Sequence, residues 1–121
     1  MKENLKELQK ILKVEFKNID LIKQAITHKS FNSKKNYEKF EFLGDRVLGL
    51  AISKKLIDLY PEEKVGILDK KLASLVNKNK CFLVGKNLKL ENFILTRTSN
   101  KKKIENKIIS DSCESIIGAI Y

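Results

Sequence analysis

The chain has 121 residues, enough for one domain of ordinary size, and its 42% hydrophobic and 33% charged residues form a globular composition that excludes disordered, low-complexity and collagenous classes. Lysine and arginine number 25 against 15 acidic residues, a formal net charge of +10, so a polyanionic partner is expected, nucleic acid first and an anionic membrane surface second. No apolar run approaches the roughly 18 residues of a membrane span, and the N-terminal MKENLKELQK lacks the apolar stretch of a signal peptide, which predicts a soluble, cytoplasmic protein.

Leu5, Leu8, Ile11 and Leu12 recur at helical spacing and predict a first amphipathic helix from about Asn4 to Val14. Asn18 can cap a second, shorter helix that carries Ile19, Ile22 and Ile26 inward. HKSFNSKKN (28–36) is polar and reads as a loop. The longest periodic stretch runs from Tyr37 to Tyr60, with Phe40, Leu43, Val47, Leu50 and Ala51 on one side, and Pro61 stops it. After the connector PEEKVG, a further helical region runs from Ile67 to about Gly85, which serves as its C-cap. Residues 86–106 are mixed, with TSNKKK read as loop, and a final helix begins near Glu105 or Lys107 and is still apolar at IIGAIY. Alternating patterns are scarce, so an all-α domain is expected.

Cys81 and Cys113 stand 32 positions apart, and His28 is the single histidine. The usual four Cys/His ligands of a zinc site are therefore missing, and a disulfide framework is equally excluded. Any metal must be held by carboxylate oxygen. Glu38, Glu41 and Asp45, spaced by three and four residues, share one helix face and could present carboxylates to one point. A solvated acidic face is the plain alternative. Glu41, however, is flanked by Phe40, Phe42 and Leu43, and Gly44 stands inside the helix, where it costs about 1 kcal/mol relative to Ala unless close packing requires it. The last segment repeats the theme: Asp111 and Glu114 lie one turn apart among Ile108, Ile109, Ile116 and Ile117. If the two helices cross, four or five carboxylates converge, and divalent cations neutralise them best. Mg²⁺ prefers such hard oxygen ligands and bridges them to phosphate. This predicts a metal-dependent phosphodiesterase acting on nucleic acid.

EKFEFLGDRVL (38–48) resembles the signature of the ribonuclease III family, and DSCESIIGAIY (111–121) resembles that family's second acidic block. THKS (27–30), YPEEKVGIL (60–68) and LASLVN (72–77) match in the same order, so the resemblance covers the chain from about residue 20 onward. It implies an all-helical endonuclease domain that pairs as a two-fold homodimer and cleaves double-stranded RNA with Mg²⁺, or Mn²⁺ in its place. The ends left would be 5′-phosphate and 3′-hydroxyl, the substrates ribosomal and messenger precursors, and no small-molecule cofactor or membrane would be involved. On this resemblance Glu41, Asp111 and Glu114 match metal-binding positions, Asp45 and Glu114 the catalytic ones, and Glu38 an auxiliary position that is structural or RNA-facing. Water, and not the RNA 2′-hydroxyl, would be the nucleophile.

His28 is read as a structural hydrogen-bonder, Phe42 as a dimer contact or core residue, and Cys113 as a small core residue. Val65 stands where the family often has glutamate, so an auxiliary acidic contact from that loop is not expected, and Leu72 stands where it often has arginine, so a polar contact is either missing or replaced by Lys70 or Lys71. Relatives continue with another helix and, in bacterial members, a double-stranded RNA-binding domain; neither follows Tyr121, so residues 1–121 are expected to be a catalytic domain truncated at its C-terminal end. The alternative function is a catalytically silent family member that acts as an RNA-binding or ribosome-associated module.

Overall fold

A computed structural model describes residues 2–97 and 100–121. Among the described residues six α-helices form: α1 (Lys2–Leu12), α2 (Ile19–Ala25), α3 (Glu38–Leu59), α4 (Val65–Leu75), α5 (Lys78–Asn87) and α6 (Asn106–Ile120), with single 3₁₀ turns at Leu90–Asn92 and Lys101–Lys103. The one β feature among them is an isolated parallel bridge between Thr27 and Leu95. The domain is all-α. Its axis is α6, which packs against α3, α5 and α2, while α4 packs on α3. Leu5 and Leu8 of α1, Ile22 and Ala25 of α2, Cys81 of α5, Leu90, Ile94 and Ile104 of the connections, and Ile109, Cys113, Ile116 and Ala119 of α6 make one continuous core.

Local chemistry sets the helix ends. Lys13 adopts a left-handed conformation (φ 59°), with the Val14 N–H donating to the Gln9 carbonyl at 3.1 Å and the Lys13 N–H to Lys10 at 3.2 Å. This paired closure stops α1 before the predicted Val14. Asn18 caps α2 as expected, its side chain accepting from the Asp20 N–H at 3.0 Å. Of the three isoleucines assigned inward, Ile22 and Ile26 are buried, whereas Ile19 is exposed at the first turn. The helix predicted over 67–85 is two helices. Asn77 is extended (φ −79°, ψ 165°) and its side chain accepts from the Lys80 N–H at 2.9 Å, which ends one helix and starts the next. Gly85 therefore lies inside α5, where an added Cβ would meet Ile109 Cγ2 at 2.6 Å.

Along α3 the predicted inward stripe is only partly covered. Phe40 and Leu48 pack on the core, but Leu43, Leu50 and Ala51 are exposed, as are Phe42 and Ile57. The reason is that α6 and α4 cover only part of α3 within this chain, so several of its apolar side chains stay exposed. In the predicted TSNKKK loop, Thr98 and Ser99 lie outside the described residues, and Lys101–Lys103 form a 3₁₀ turn. On α6, Ile116 and Ala119 are covered by the domain itself, and Ile120 is exposed.

Candidate metal centre

Two glycines place the site. At the crossing of α3 and α6, a Cβ on Gly44 would stand 1.7 Å from the Glu114 carbonyl oxygen, and one on Gly118 would stand 2.1 Å from the Phe40 carbonyl oxygen. The helices thus meet backbone to backbone, a separation that only glycine permits. This close approach sets Glu41, one turn before Gly44, against Asp111 and Glu114 on α6. Glu41, Asp111 and Glu114 each offer a carboxylate oxygen within 4.8 Å of the others.

Burial makes the arrangement costly. α6 is buried without interruption from Ile109 to Ile116, so Asp111 and Glu114 are each only 1% exposed. Two of its serines are absorbed locally: Ser110 Oγ donates to the Lys107 carbonyl at 3.3 Å, and Ser115 Oγ donates to the Ala25 carbonyl, joining α6 to α2, and also faces the Ser112 carbonyl at 3.0 Å. Ser112 Oγ is buried with no hydrogen-bond partner among the described residues. The carboxylates are answered by lysine. Lys78, on the first turn of α5, places its ammonium 3.1 Å from Asp111 Oδ1 and 3.3 Å from Glu41 Oε1, and also pairs with Glu114 Oε1. Lys107, one turn before Asp111, reaches Asp111 Oδ2 at 2.5 Å. Burial pulls Lys78 toward neutrality, but its hydrogen bonds to Glu114 and Asp111 outweigh this and hold it above the usual lysine range. Burial raises the Glu114 carboxyl to about 7 against the opposing effect of Lys78, and the neighbouring Asp45 adds to the rise. Oε2 of Glu114 is buried with no hydrogen-bond partner among the described residues. An orphaned carboxylate oxygen beside two further carboxylates fits a hard divalent cation, and Mg²⁺ or Mn²⁺ suits such a donor set.

The other predicted site residues sit around this cluster. Asp45, one turn beyond Glu41, is half exposed and pairs with Arg46 at 3.4 Å, with its carboxylate also facing Glu114. Glu38 is exposed and lines a groove with His28, Lys29, Tyr37 and Lys107 that opens beside Glu41 and Asp111. Among the described residues Glu41, Asp111 and Glu114 meet at one point, with Asp45 beside Glu114 and Glu38 in the adjoining groove. His28 holds the THKS loop: its Nδ1 accepts from the Ser30 N–H at 3.1 Å and its ring meets Tyr37 edge-on at 5.6 Å. Burial, and then Lys29, lower its pKa. Phe42 is 63% exposed, with the Arg46 guanidinium 3.9 Å above its ring. Cys113 is buried beside Cys81 in the core. Val65 is exposed at the start of α4, and Lys71 lies 4.4 Å over the Tyr60 ring.

Sequence reasoning missed both lysines. Lys107 was visible as an i, i+4 partner of Asp111. Lys78 had a fainter signal: it follows the capping Asn77, and a lysine on a helix's first turn opposes the helix dipole, which points to a compensating anion.

The fold and the crossed acidic helices define an all-helical nuclease domain of the ribonuclease III type. A family profile described as Ribonuclease-III-like matches residues 18–121. The nuclease domain of ribonuclease III from Campylobacter jejuni, for which structural flexibility is described in a region involved in dimer formation, superposes with a TM-score of 0.89 at 39% identity, covering 96% of this chain and 83% of that one. In sequence, the chain is 54% identical to Ribonuclease 3 of Pelagibacter ubique over its whole length, 55% of that protein, and 42% identical to Ribonuclease 3 of Aliarcobacter butzleri over 95% of this chain and 53% of that one. The chain belongs to the ribonuclease III family. It spans about half the length of these sequence relatives.

Proposed function

We propose that this chain is the catalytic domain of a Mg²⁺-dependent endonuclease that hydrolyses double-stranded RNA in ribosomal and messenger precursors, in the cytoplasm and as a two-fold dimer. The observation that carries the reading is the convergence of Glu41, Asp111 and Glu114 at the crossing of α3 and α6, with Glu114 Oε2 buried and unpartnered among the described residues. These three carboxylates would hold the ion, with Mn²⁺ as a substitute. When bound, Mg²⁺ supplies activation of water and stabilisation of the leaving oxyanion. Asp45 and Glu114 are assigned to the catalytic step, Asp45 from the exposed margin where a scissile phosphate has access. Glu38 and Lys29 in the adjoining groove face the substrate. The excess of lysine over acid favours a polyanion, and an A-form duplex is read by shape, phosphates and 2′-hydroxyls. The uncovered apolar side of α3, with Phe42 and Leu50, supports pairing with a second copy.

Incubation of a plain RNA duplex with the protein, with and without Mg²⁺, tests the reading on a denaturing gel. Short products that require Mg²⁺ support it, and an intact duplex at micromolar protein contradicts it. One observation favours the silent RNA-binding alternative: Lys78 already supplies a cation to the cluster. A protein of that kind would retard the duplex on a native gel and leave it uncut.

A further inference from the structure

Lys78 stands where a divalent ion would have to stand. Its ammonium contacts all three carboxylates of the cluster, at 3.3 Å from Glu41 and 3.1 Å from Asp111. A bound Mg²⁺ takes oxygen ligands at about 2.1 Å, so an ion sharing these oxygens would lie within a few ångströms of the ammonium. Two cations at that separation repel strongly, and each also needs the same lone pairs. They exclude one another.

Resting on the metal-centre reading, we propose that Lys78 is a tethered counter-ion of the metal-free site, displaced by the divalent ion and setting the protein's affinity for it. Three features fit this role. The lysine is not anchored by burial, since its side chain is 57% exposed although its contacts on α6 are 1% exposed. It sits on the first turn of α5, directly after the capping Asn77, so its long side chain can swing outward without any change in the backbone. The pairing also leaves Glu114 Oε2 unsatisfied, so one ammonium answers the cluster incompletely and a doubly charged ion answers it better. Lys107 remains on Asp111 Oδ2, an oxygen that Lys78 does not use, and keeps that carboxylate oriented during the exchange.

An internal competitor weakens the observed affinity by its own occupancy of the site. Hydrogen bonds to buried charged groups are among the stronger ones, so removing the ammonium should tighten Mn²⁺ binding about tenfold or more. The test is titration of the metal-free protein with Mn²⁺, followed by electron paramagnetic resonance of the free ion, for the parent, Lys78→Met and Lys80→Met. Lys80 lies on the same turn, is exposed, and contacts none of the three carboxylates among the described residues, so it controls for loss of net charge. The expected result is a tenfold tighter dissociation constant for K78M and less than a twofold change for K80M. Equal affinities for the parent and K78M, or weaker binding by K78M, overturn the proposal and leave the metal centre standing. Absence of Mn²⁺ binding in every protein overturns the metal-centre reading and this proposal with it.

A second measurement needs no variant. Lysine acetylation of the parent, read residue by residue by mass spectrometry, should find Lys78 slower to react than Lys80 without metal and several-fold faster once Mn²⁺ is added. An unchanged or slower rate at Lys78 in Mn²⁺ contradicts displacement.

Discussion

Glu114→Gln separates a carboxylate kept for function from one kept for structure. A carboxyl moved by burial from its ordinary 4.5 to about 7 opposes folding when ionised, by roughly 3 kcal/mol at 1.36 kcal/mol per unit. The amide removes that charge without changing the shape. It gives back part of the gain, because its new NH₂ sits where Oε2 has no partner among the described residues, about 1–2 kcal/mol; the weaker contact with Lys78 is already contained in the net shift. At pH 8 the metal-free variant should therefore be more stable than the parent by about 1–2 kcal/mol, a rise of about 5 °C in melting temperature for a domain of this size. The same substitution should lower cleavage of duplex RNA by about two to four orders of magnitude, each tenfold corresponding to about 1.4 kcal/mol of barrier. Thermal melts in chelator and Mg²⁺-started cleavage assays on one preparation read both effects. If Glu114→Gln melts below the parent in chelator, the Lys78–Glu114 pair is a net structural contribution and the reasoning fails.

Glu114 also sets a pH dependence. Its folded pKa lies above the unfolded one, so its contribution to stability is complete below about 4.5 and is lost as pH rises through about 7. Metal-free protein should melt higher at pH 6 than at pH 8, saturating Mg²⁺ should reverse the order because the ion binds the carboxylate, and Glu114→Gln should flatten the metal-free difference. Asp45→Asn should reduce cleavage by orders of magnitude, with circular dichroism unchanged and duplex affinity in filter binding held or raised, since repulsion near the phosphate drops while lysine contacts stay salt-sensitive; cleavage at the parent rate would remove Asp45 from the site. Gly44→Ala must push α3 off α6, because its Cβ would overlap the Glu114 carbonyl at 1.7 Å, and should destabilise by about 3 kcal/mol. Gly49→Ala on the same helix meets nothing within 4 Å among the described residues and should stabilise by about 0.5–1 kcal/mol, so equal denaturation midpoints for the two variants would contradict the close crossing of α3 and α6.

Much of this was legible in the residues because their physics is local. Helical spacing marks α1 and α3, Asn18 marks the start of α2, and Gly44 beside Asp45 signals a close backbone approach that the Glu114 carbonyl supplies. DSCES shows two acids on an apolar helix, and the cluster at Asp111 and Glu114 follows from it. Asn77 was the local signal passed over: an extended asparagine inside a helical pattern divides α4 from α5 and delivers Lys78 to the cluster. What pattern could not supply was the third dimension. The role of Gly118 depends on Phe40, 78 positions earlier, and the exposure of Leu50 depends on which face of α3 meets α6. The position of Asp45, facing Glu114 but outside the set that Glu41, Asp111 and Glu114 form among the described residues, is likewise a product of that crossing.

The most direct test of the central claim is a crystal of the parent protein soaked in Mn²⁺ and measured at an energy where manganese scatters anomalously. A peak bounded by Glu41, Asp111 and Glu114 is expected, with the Lys78 ammonium moved off the three carboxylates. A soaked crystal with no peak there, and with Lys78 still seated among the carboxylates at saturating Mn²⁺, would contradict that claim.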